Sequence, residues 1–265
     1  MLIAILLGVI QGLTEFLPIS SSGHVILLGK LTNYHNEGIV EAVNLGTFLA
    51  VLIYYRKDIL QIIKSVIPST SAEQNFLKDK ALVPKFIASV IPIGIVGVLI
   101  KNVYEVSFET WEYSLLLIGI MSLVFGTLFY IGSRTSTPAR SKSTISWLDT
   151  LLLSLAQIFA VLPGVSRSGV TLTTTFFSNI NREIAAKFVF LMSLPATGLA
   201  ALNALVINRE VALNMELLLA EIFSFAAGIL SIHIMVSWLK RDNLLWIWLY
   251  RLVFGFVCIG VFFIK

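Results

Sequence analysis

Hydrophobic residues in this chain are grouped into long runs that short polar segments interrupt. Six of these runs approach the ~20 residues that an α-helix needs to cross the hydrocarbon core of a bilayer. The pattern predicts an all-α polytopic membrane protein that forms one membrane domain, residues 1–265. The predicted spans are residues 39–55, 83–100, 113–132, 186–207, 217–239 and 244–264.

Two further apolar segments, residues 1–17 and 147–162, are too short to be ordinary spans. Each of them runs into a cluster of proline, glycine and serine, which ends a helix before it can cross the membrane. Backbone that leaves a helix at membrane depth is tolerated only where protein or a water-filled cavity satisfies its polar groups. We therefore predict that both segments form re-entrant helical hairpins.

A gapless offset of 146 residues aligns polar positions in the two broken segments. The aligned pairs are Gln11 with Gln157, Ser20 with Ser166, Ser22 with Ser168, and Gly23 with Gly169. Three predicted spans follow each broken segment. Because three is an odd number, the second copy would have the opposite orientation across the membrane from the first. The pattern predicts an inverted-topology repeat, with repeat 1 at about 1–132, repeat 2 at about 146–265 and a binding site where the two meet. Transporters share this architecture, so it does not select a function.

Charged residues make up only 13% of the chain, against roughly a quarter in soluble domains. The formal net charge is +4, and most lysines and arginines lie at the ends of apolar segments, where they orient helices and do not indicate nucleic-acid binding. They mark residues 56–85, 134–142 and 240–241 as cytoplasmic. Both chain ends are then expected on the opposite, outer side.

The segment from Gln11 to His24 places a dense polar group in an apolar protein. Gln11 and Glu15 are four residues apart, so on a helix they share one face and could hold a divalent cation or receive hydrogen bonds. Ionisable residues at membrane depth are functional by default. The alternative is that Glu15 only bonds a neighbouring helix.

Pro18 and Gly23 bracket three serines, so the chain is expected to turn there and to expose amide N–H groups beside three hydroxyls. Such a turn suits an oxyanion, although a serine-rich break can also satisfy only its own backbone. His24, directly after it, could supply or take a proton near neutral pH or act as a nucleophile.

The second break, residues 163–169, contains Arg167. A guanidinium presents a rigid fork of donors that matches phosphate oxygens two at a time. A salt bridge to Glu15 is the structural alternative, and it is compatible with phosphate binding because a phosphate can displace the carboxylate. The two breaks together supply the predicted phosphate-binding residues Ser20, Ser22, Gly23, Ser166, Arg167, Ser168 and Gly169.

The motifs QGLTEFLPISSSGH and LPGVSRSG closely resemble those of the undecaprenyl-diphosphatase family, also called the bacitracin resistance protein. The resemblance covers nearly the whole chain. It implies a hydrolase of the bacterial inner membrane that uses Mg²⁺ or Ca²⁺ and converts undecaprenyl pyrophosphate to undecaprenyl phosphate near the outer face. This reaction returns the lipid carrier to peptidoglycan and envelope synthesis.

The resemblance also implies roles for individual residues. Glu15 resembles the family's essential acid, Ser21 its central serine, His24 its histidine and Arg167 its phosphate-binding arginine. Gln11 occupies a place that is often a second glutamate, and relatives often carry an acid at Val40, one position before Glu41. The secondary candidates are Glu41, Asn44 and Gln157.

Three readings of the site remain open at the level of sequence. In the hydrolase, Ser21, His24 or an activated water attacks the terminal phosphorus of an isoprenoid pyrophosphate lipid. The runner-up is a lipid-phosphate transporter or flippase, and a scaffold without chemistry is disfavoured by the cost of burying so many polar groups. Small residues in the spans permit close helix packing within one protomer or in a homodimer, surrounded by membrane lipids.

Overall fold

The computed structural model describes residues 1–32, 38–66, 77, 79–103, 112–136, 141–198 and 214–264. These residues are almost entirely helical, and the sole β-bridge among them pairs Lys142 with Ile180, so the predicted all-α class is confirmed. The helices are α1 (Leu2–Phe16), α2 (Ser21–Thr32), α3 (Ile39–Tyr54), α4 (Arg56–Val66), α5 (Leu82–Val103), α6 (Ser114–Thr135), α7 (Trp147–Ile158), α8 (Arg167–Phe177), α9 (Arg182–Leu191), α10 (Met215–Arg241) and α11 (Leu245–Ile264).

Four helices of the described chain are long and apolar enough to cross a membrane: α5, α6, α10 and α11. They coincide with four of the six predicted spans. The span predicted at residues 39–55 is α3, which has 16 residues and joins α4 at a bend of 70°. At 1.5 Å per residue α3 is about 24 Å long, so it would cross most of a bilayer core of about 30 Å.

The first half of the span predicted at residues 186–207 differs from what the structure shows. Helix α9 begins earlier, at Arg182, because the Asn181 side chain caps it by accepting a hydrogen bond from the Glu183 amide at 3.0 Å. It ends at Leu191 and helix resumes at residue 193. Pro195 has no amide hydrogen to donate to the Leu191 carbonyl, which explains the interruption. Residues 199–207 of this predicted span lie outside the described residues.

Both predicted hairpins begin as short apolar helices that break where expected. Helix α1 ends at Phe16, extended backbone follows at Leu17, and α2 starts at Ser21. Helix α7 continues as a 3₁₀ turn, Phe159–Val161, before α8 starts at Arg167. Helix α1 packs against α10, α7 packs against α5, and α6 packs against α11. Each hairpin therefore lies on spans from the other half of the chain.

Close packing of α1 on α10 depends on glycine. A Cβ added at Gly12 would collide with the Ser224 carbonyl oxygen and lie 2.7 Å from Cβ of Ala227, so no larger residue fits without separating the helices. A Cβ added at Gly97 of α5 would meet no atom of the described residues within 4 Å.

We expect Gly12→Leu to destabilise the protein by about 1–3 kcal/mol, because overpacking forces α1 away from α10. Thermal unfolding in detergent measures the change. Gly97→Leu is the matched control and should leave the melting temperature within a degree or two of wild type. Equal melting temperatures for both variants would contradict the packing described for α1 and α10.

Candidate active site

The two hairpin breaks meet in the fold, as predicted. The Gly164 amide donates to Oγ of Ser20 at 3.0 Å. From the other side, Oγ of Ser168 lies 3.2 Å from the carbonyl oxygens of both Glu15 and Leu17. Residues about 146 positions apart in sequence therefore form one polar centre.

Ser20 and Ser166 both have a positive φ angle at equivalent positions of the two breaks. Their φ angles are 74° and 70°, a left-handed region that serine rarely adopts. Each hydroxyl accepts a hydrogen bond from the amide three residues later, Gly23 at 3.4 Å and Gly169 at 3.1 Å. These two amides are therefore occupied by serine rather than presented to a ligand. The matching geometry supports the repeat, while the boundaries of the two repeats stay a prediction.

Glu15 lies at the centre of the polar group. Its Oε1 pairs with Nη2 of Arg167 at 2.5 Å, and its Oε2 accepts from Oγ of Ser21 at 2.6 Å and Nε2 of Gln11 at 3.0 Å. The Gln11 amide nitrogen also donates to Oδ1 of Asn44 at 3.1 Å. Both side chains of the ion pair are largely buried, at 13% and 22% exposure. The structure thus contains the Glu15–Arg167 salt bridge that sequence reasoning considered.

A cavity of about 290 Å³ opens beside this ion pair. Its polar part includes the first residues of α2 and α8, and helix N-termini favour anions because their amides and dipole are positive. Its apolar part comes from α5, from the 3₁₀ turn and from the chain after α9. The lining residues are Glu15, Ser20, Ser21, Ser22, Asn44, Ile93, Ala160, Ser166, Arg167, Ala196 and Thr197.

His24 does not line this cavity. Its Nδ1 lies 2.7 Å from the Ser20 carbonyl oxygen, which can only accept, so Nδ1 carries hydrogen. Its Nε2 lies 2.6 Å from the hydroxyl of Tyr250, and the ring stacks on Phe254 with centroids 3.9 Å apart. Both ring nitrogens are thus engaged away from the Glu15–Arg167 pair, and a role for His24 in catalysis stays a prediction.

The remaining secondary candidates are Gln157 and Glu41. Gln157 is buried and donates to the Ser89 carbonyl of α5 at 2.8 Å. With Ser168 it lines a second cavity of about 10 Å³ that also touches Glu15 and Arg167. Glu41 stands in the first turn of α3, outside the lining of either cavity.

Sequence reasoning missed Arg251, which is fully buried in the first half of α11. Its guanidinium donates to the carbonyls of Pro18 at 2.9 Å and Gly164 at 2.7 Å, one in each hairpin break. The signal was present in the sequence, because an arginine within a strongly apolar span is rarely without a function.

The side chains around Glu15 supply only part of a ligand set for a divalent cation. The described residues contain no group of three or more histidine, cysteine, aspartate or glutamate side chains that could hold a metal ion. Oxygens of Glu15 and Asn44 do converge, yet on the Gln11 amide nitrogen, which is a donor. Mg²⁺ commonly binds through one or two carboxylates plus substrate phosphates, so these residues could supply only the protein's share of such a site.

Comparison with known proteins identifies the family. The family model for the bacitracin resistance protein BacA matches residues 4–257. An undecaprenyl-diphosphatase of Idiomarina loihiensis is 36% identical, covering 98% of each chain. That of Chlorobium phaeobacteroides is 35% identical over 97% of this chain and 95% of its own. Undecaprenyl-diphosphatase 2 of Stutzerimonas stutzeri is 35% identical over 97% of both. With a match along almost its whole length, the chain belongs to the bacitracin resistance protein BacA family.

Proposed function

We propose that this protein hydrolyses undecaprenyl pyrophosphate to undecaprenyl phosphate and phosphate. The observation that carries the proposal is the contact between Arg167 and Glu15 at the meeting of two helix breaks, inside a strongly apolar protein. A phosphate-binding cation and a carboxylate at membrane depth suit a substrate that has a charged head and an apolar tail. The names of the family's relatives supply the identity of the lipid.

The cavity suits such an amphipathic molecule. The pyrophosphate would lie against Arg167 and the N-termini of α2 and α8, with the isoprenoid leaving past Ile93, Ala160 and Ala196. Arg167 can present its whole fork to phosphate oxygens once Nη2 is released from Glu15. Substrate binding therefore exchanges a carboxylate for a phosphate on Arg167 and frees one oxygen of Glu15.

The freed carboxylate lies where a base is useful. The Ser21 hydroxyl already donates to Glu15 at 2.6 Å, so Glu15 can accept the proton of Ser21, or of a water in its place, as that oxygen attacks the terminal phosphorus. The bond from that phosphorus to the bridging oxygen breaks, and undecaprenyl phosphate leaves with this oxygen. Attack by water gives phosphate directly, whereas attack by Ser21 gives a phosphoserine that a water must then hydrolyse to release phosphate. His24 is the weaker nucleophile because Ser20 and Tyr250 engage both its nitrogens. Phosphoryl transfer depends mainly on alignment and on neutralising the nonbridging oxygens, which Arg167 does here.

A divalent cation, Mg²⁺ or Ca²⁺, would be held by oxygens of Glu15 and Asn44 together with the substrate. When bound, it would add to the neutralisation of the phosphate oxygens. Gln11 would then either turn its amide oxygen toward the ion or keep donating to the two neighbouring side chains.

We propose that the protein lies in the bacterial inner membrane, with the active site toward the outer face. The basic residues near the ends of α4, α6 and α10 support this orientation. In that position the product re-enters envelope synthesis, and hydrolysis counters bacitracin by removing the pyrophosphate lipid. A homodimer is compatible with the exposed apolar faces, as is a monomer in lipid.

Arg167→Lys is expected to lower turnover ~10²–10³-fold although the charge is kept, because lysine cannot reproduce two-toothed recognition of phosphate. Phosphate release from undecaprenyl pyrophosphate by purified protein in detergent is the measurement. Arg182→Lys is the matched control, since Arg182 bonds Asp242 and the Ser133 carbonyl away from the site. Near wild-type turnover in folded Arg167→Lys would favour the lipid-transporter alternative.

Gln11→Glu is expected to lower the Mg²⁺ concentration for half-maximal hydrolysis by about tenfold, because carboxylate count tunes the affinity of oxygen-ligand sites. A Mg²⁺ titration of initial rates measures it. Glu41→Gln, which changes a carboxylate outside the cavity lining, should leave the midpoint unchanged. The opposite result, a shift with Glu41→Gln alone, would place the cation at Glu41 rather than between Glu15 and Asn44.

A cysteine at position 112 is expected to react with a membrane-impermeant thiol reagent in spheroplasts, while one at position 141 should not. Both changes, Glu112→Cys and Ser141→Cys, are made in a Cys258→Ser background, and both positions flank spans. Labelling of position 141 alone would reverse the proposed orientation.

A further inference from the structure

Arg251 is a buried cation that the catalytic chemistry above does not use. Its side chain is 0% exposed in an apolar helix, and such a charge is strongly unfavourable unless its donors are satisfied. All three guanidinium nitrogens donate to backbone carbonyl oxygens. The bonds run from Nε to Ser122 at 3.2 Å, from Nη1 to Pro18 at 2.9 Å and Val165 at 3.1 Å, and from Nη2 to Gly164 at 2.7 Å and Met121 at 3.4 Å.

The accepting carbonyls belong to three segments: the two hairpin breaks, and α6, the helix on which both breaks rest. Pro18 lies in the first break, Gly164 and Val165 lie in the second, and Met121 and Ser122 lie in α6. Carbonyls at a helix end lack partners within the helix, and no water competes for them in a membrane. One guanidinium therefore ties both breaks to each other and to α6.

The position of Arg251 is tightly enclosed. A Cβ added at Gly126 of α6 would lie 2.9 Å from Cβ and 3.1 Å from Nε of Arg251. A Cβ added at Gly169 of α8 would lie 3.0 Å from Nη1. Ser122 also donates its hydroxyl to the Arg251 carbonyl at 3.0 Å, which fixes α11 to α6 at this level. The guanidinium therefore has little room to move.

We propose that Arg251 is a positioning residue for hydrolysis, which rests on the function proposed above. Pro18 lies two residues before Ser20 and three before Ser21, and Val165 lies two before Arg167. By holding both backbones, Arg251 sets the separation between the Glu15–Ser21 side of the pocket and the Arg167 side. Arg251 does not line the pocket and touches no reacting atom. It acts by aligning the groups that line the pocket and contact the substrate.

This role predicts a specific kinetic signature. Misalignment by about 1 Å can lower turnover ~10²-fold, so Arg251→Ala should lose about that factor in kcat. The KM for undecaprenyl pyrophosphate should change by less than about threefold, because the apolar surface of the cavity that receives the isoprenoid remains. Added guanidinium ion at ~20 mM should raise the kcat of Arg251→Ala at least about tenfold, because it fills the vacated site between the breaks. A residue needed only for folding would lower the yield of folded protein without rescue.

The experiment measures phosphate release by the purified full-length protein in detergent, with and without guanidinium, alongside thermal unfolding. Arg182→Ala is the matched control, and guanidinium should not raise its rate. A second pair of variants leaves Arg251 itself in place. Gly126→Ala presses on its side chain and should lower kcat at least about fivefold with KM retained, whereas Gly132→Ala on the same helix meets ordinary contacts at 3.4 Å and should not.

Rescue of Arg251→Ala together with the Gly126→Ala defect supports the proposal. Wild-type kcat in either Arg251→Ala or Gly126→Ala overturns it, as does a loss of kcat that guanidinium does not restore in folded Arg251→Ala. If Arg251→Ala does not fold, the Gly126→Ala and Gly132→Ala comparison decides alone. Failure of the proposed function itself is separate, because wild-type protein would then release no phosphate.

Discussion

Two helices end inside a membrane in this protein, and their unpaired backbone groups must find partners where water is scarce. That requirement organises the centre of the fold. The Arg251 guanidinium takes carbonyls from both breaks, and Ser20 joins the breaks directly by accepting from the Gly164 amide. Once the two breaks are tied together, Glu15 and Arg167 have little freedom to be anywhere but opposite one another.

The pocket therefore forms where the backbone groups of the two breaks find their hydrogen-bond partners. Its side chains are held by helices that glycine residues such as Gly12 allow to pack closely, so the change on substrate binding is the exchange of partner at Arg167. Groups whose positions are fixed in this way stabilise a transition state effectively, because little reorganisation is needed during the reaction. The same logic explains why Ser20 and Ser166 both adopt a left-handed backbone conformation: each break needs its hydroxyl at a specific place more than it needs a relaxed backbone.

Much of this arrangement could be predicted from the sequence, since the length of apolar runs predicts spans and the chemistry of carboxylate and guanidinium predicts that Glu15 and Arg167 attract. The α3–α4 bend could not be placed, because hydropathy does not report helix direction. The interruption after Leu191 has a sequence signal in Pro195, which the span prediction from hydropathy did not use. Arg251 stood out in the sequence as an arginine within an apolar span, but its role could not be predicted because its partners are backbone carbonyls, which no residue pattern marks. His24 was expected in the pocket, yet its ring lies against Tyr250 and Phe254 on a helix over 200 residues away in sequence.

The Glu15–Arg167 ion pair makes the unliganded pocket electrically neutral at that point, since one carboxylate balances one guanidinium. An incoming pyrophosphate carries more negative charge than Arg167 alone can offset, and a divalent cation would restore the balance. Binding of the two is then thermodynamically linked, and each raises the affinity of the other by the same factor. In the proposed hydrolase, such a pocket would favour the cation–pyrophosphate complex over either ion alone. Between turnovers it would return to neutrality without needing to retain the cation.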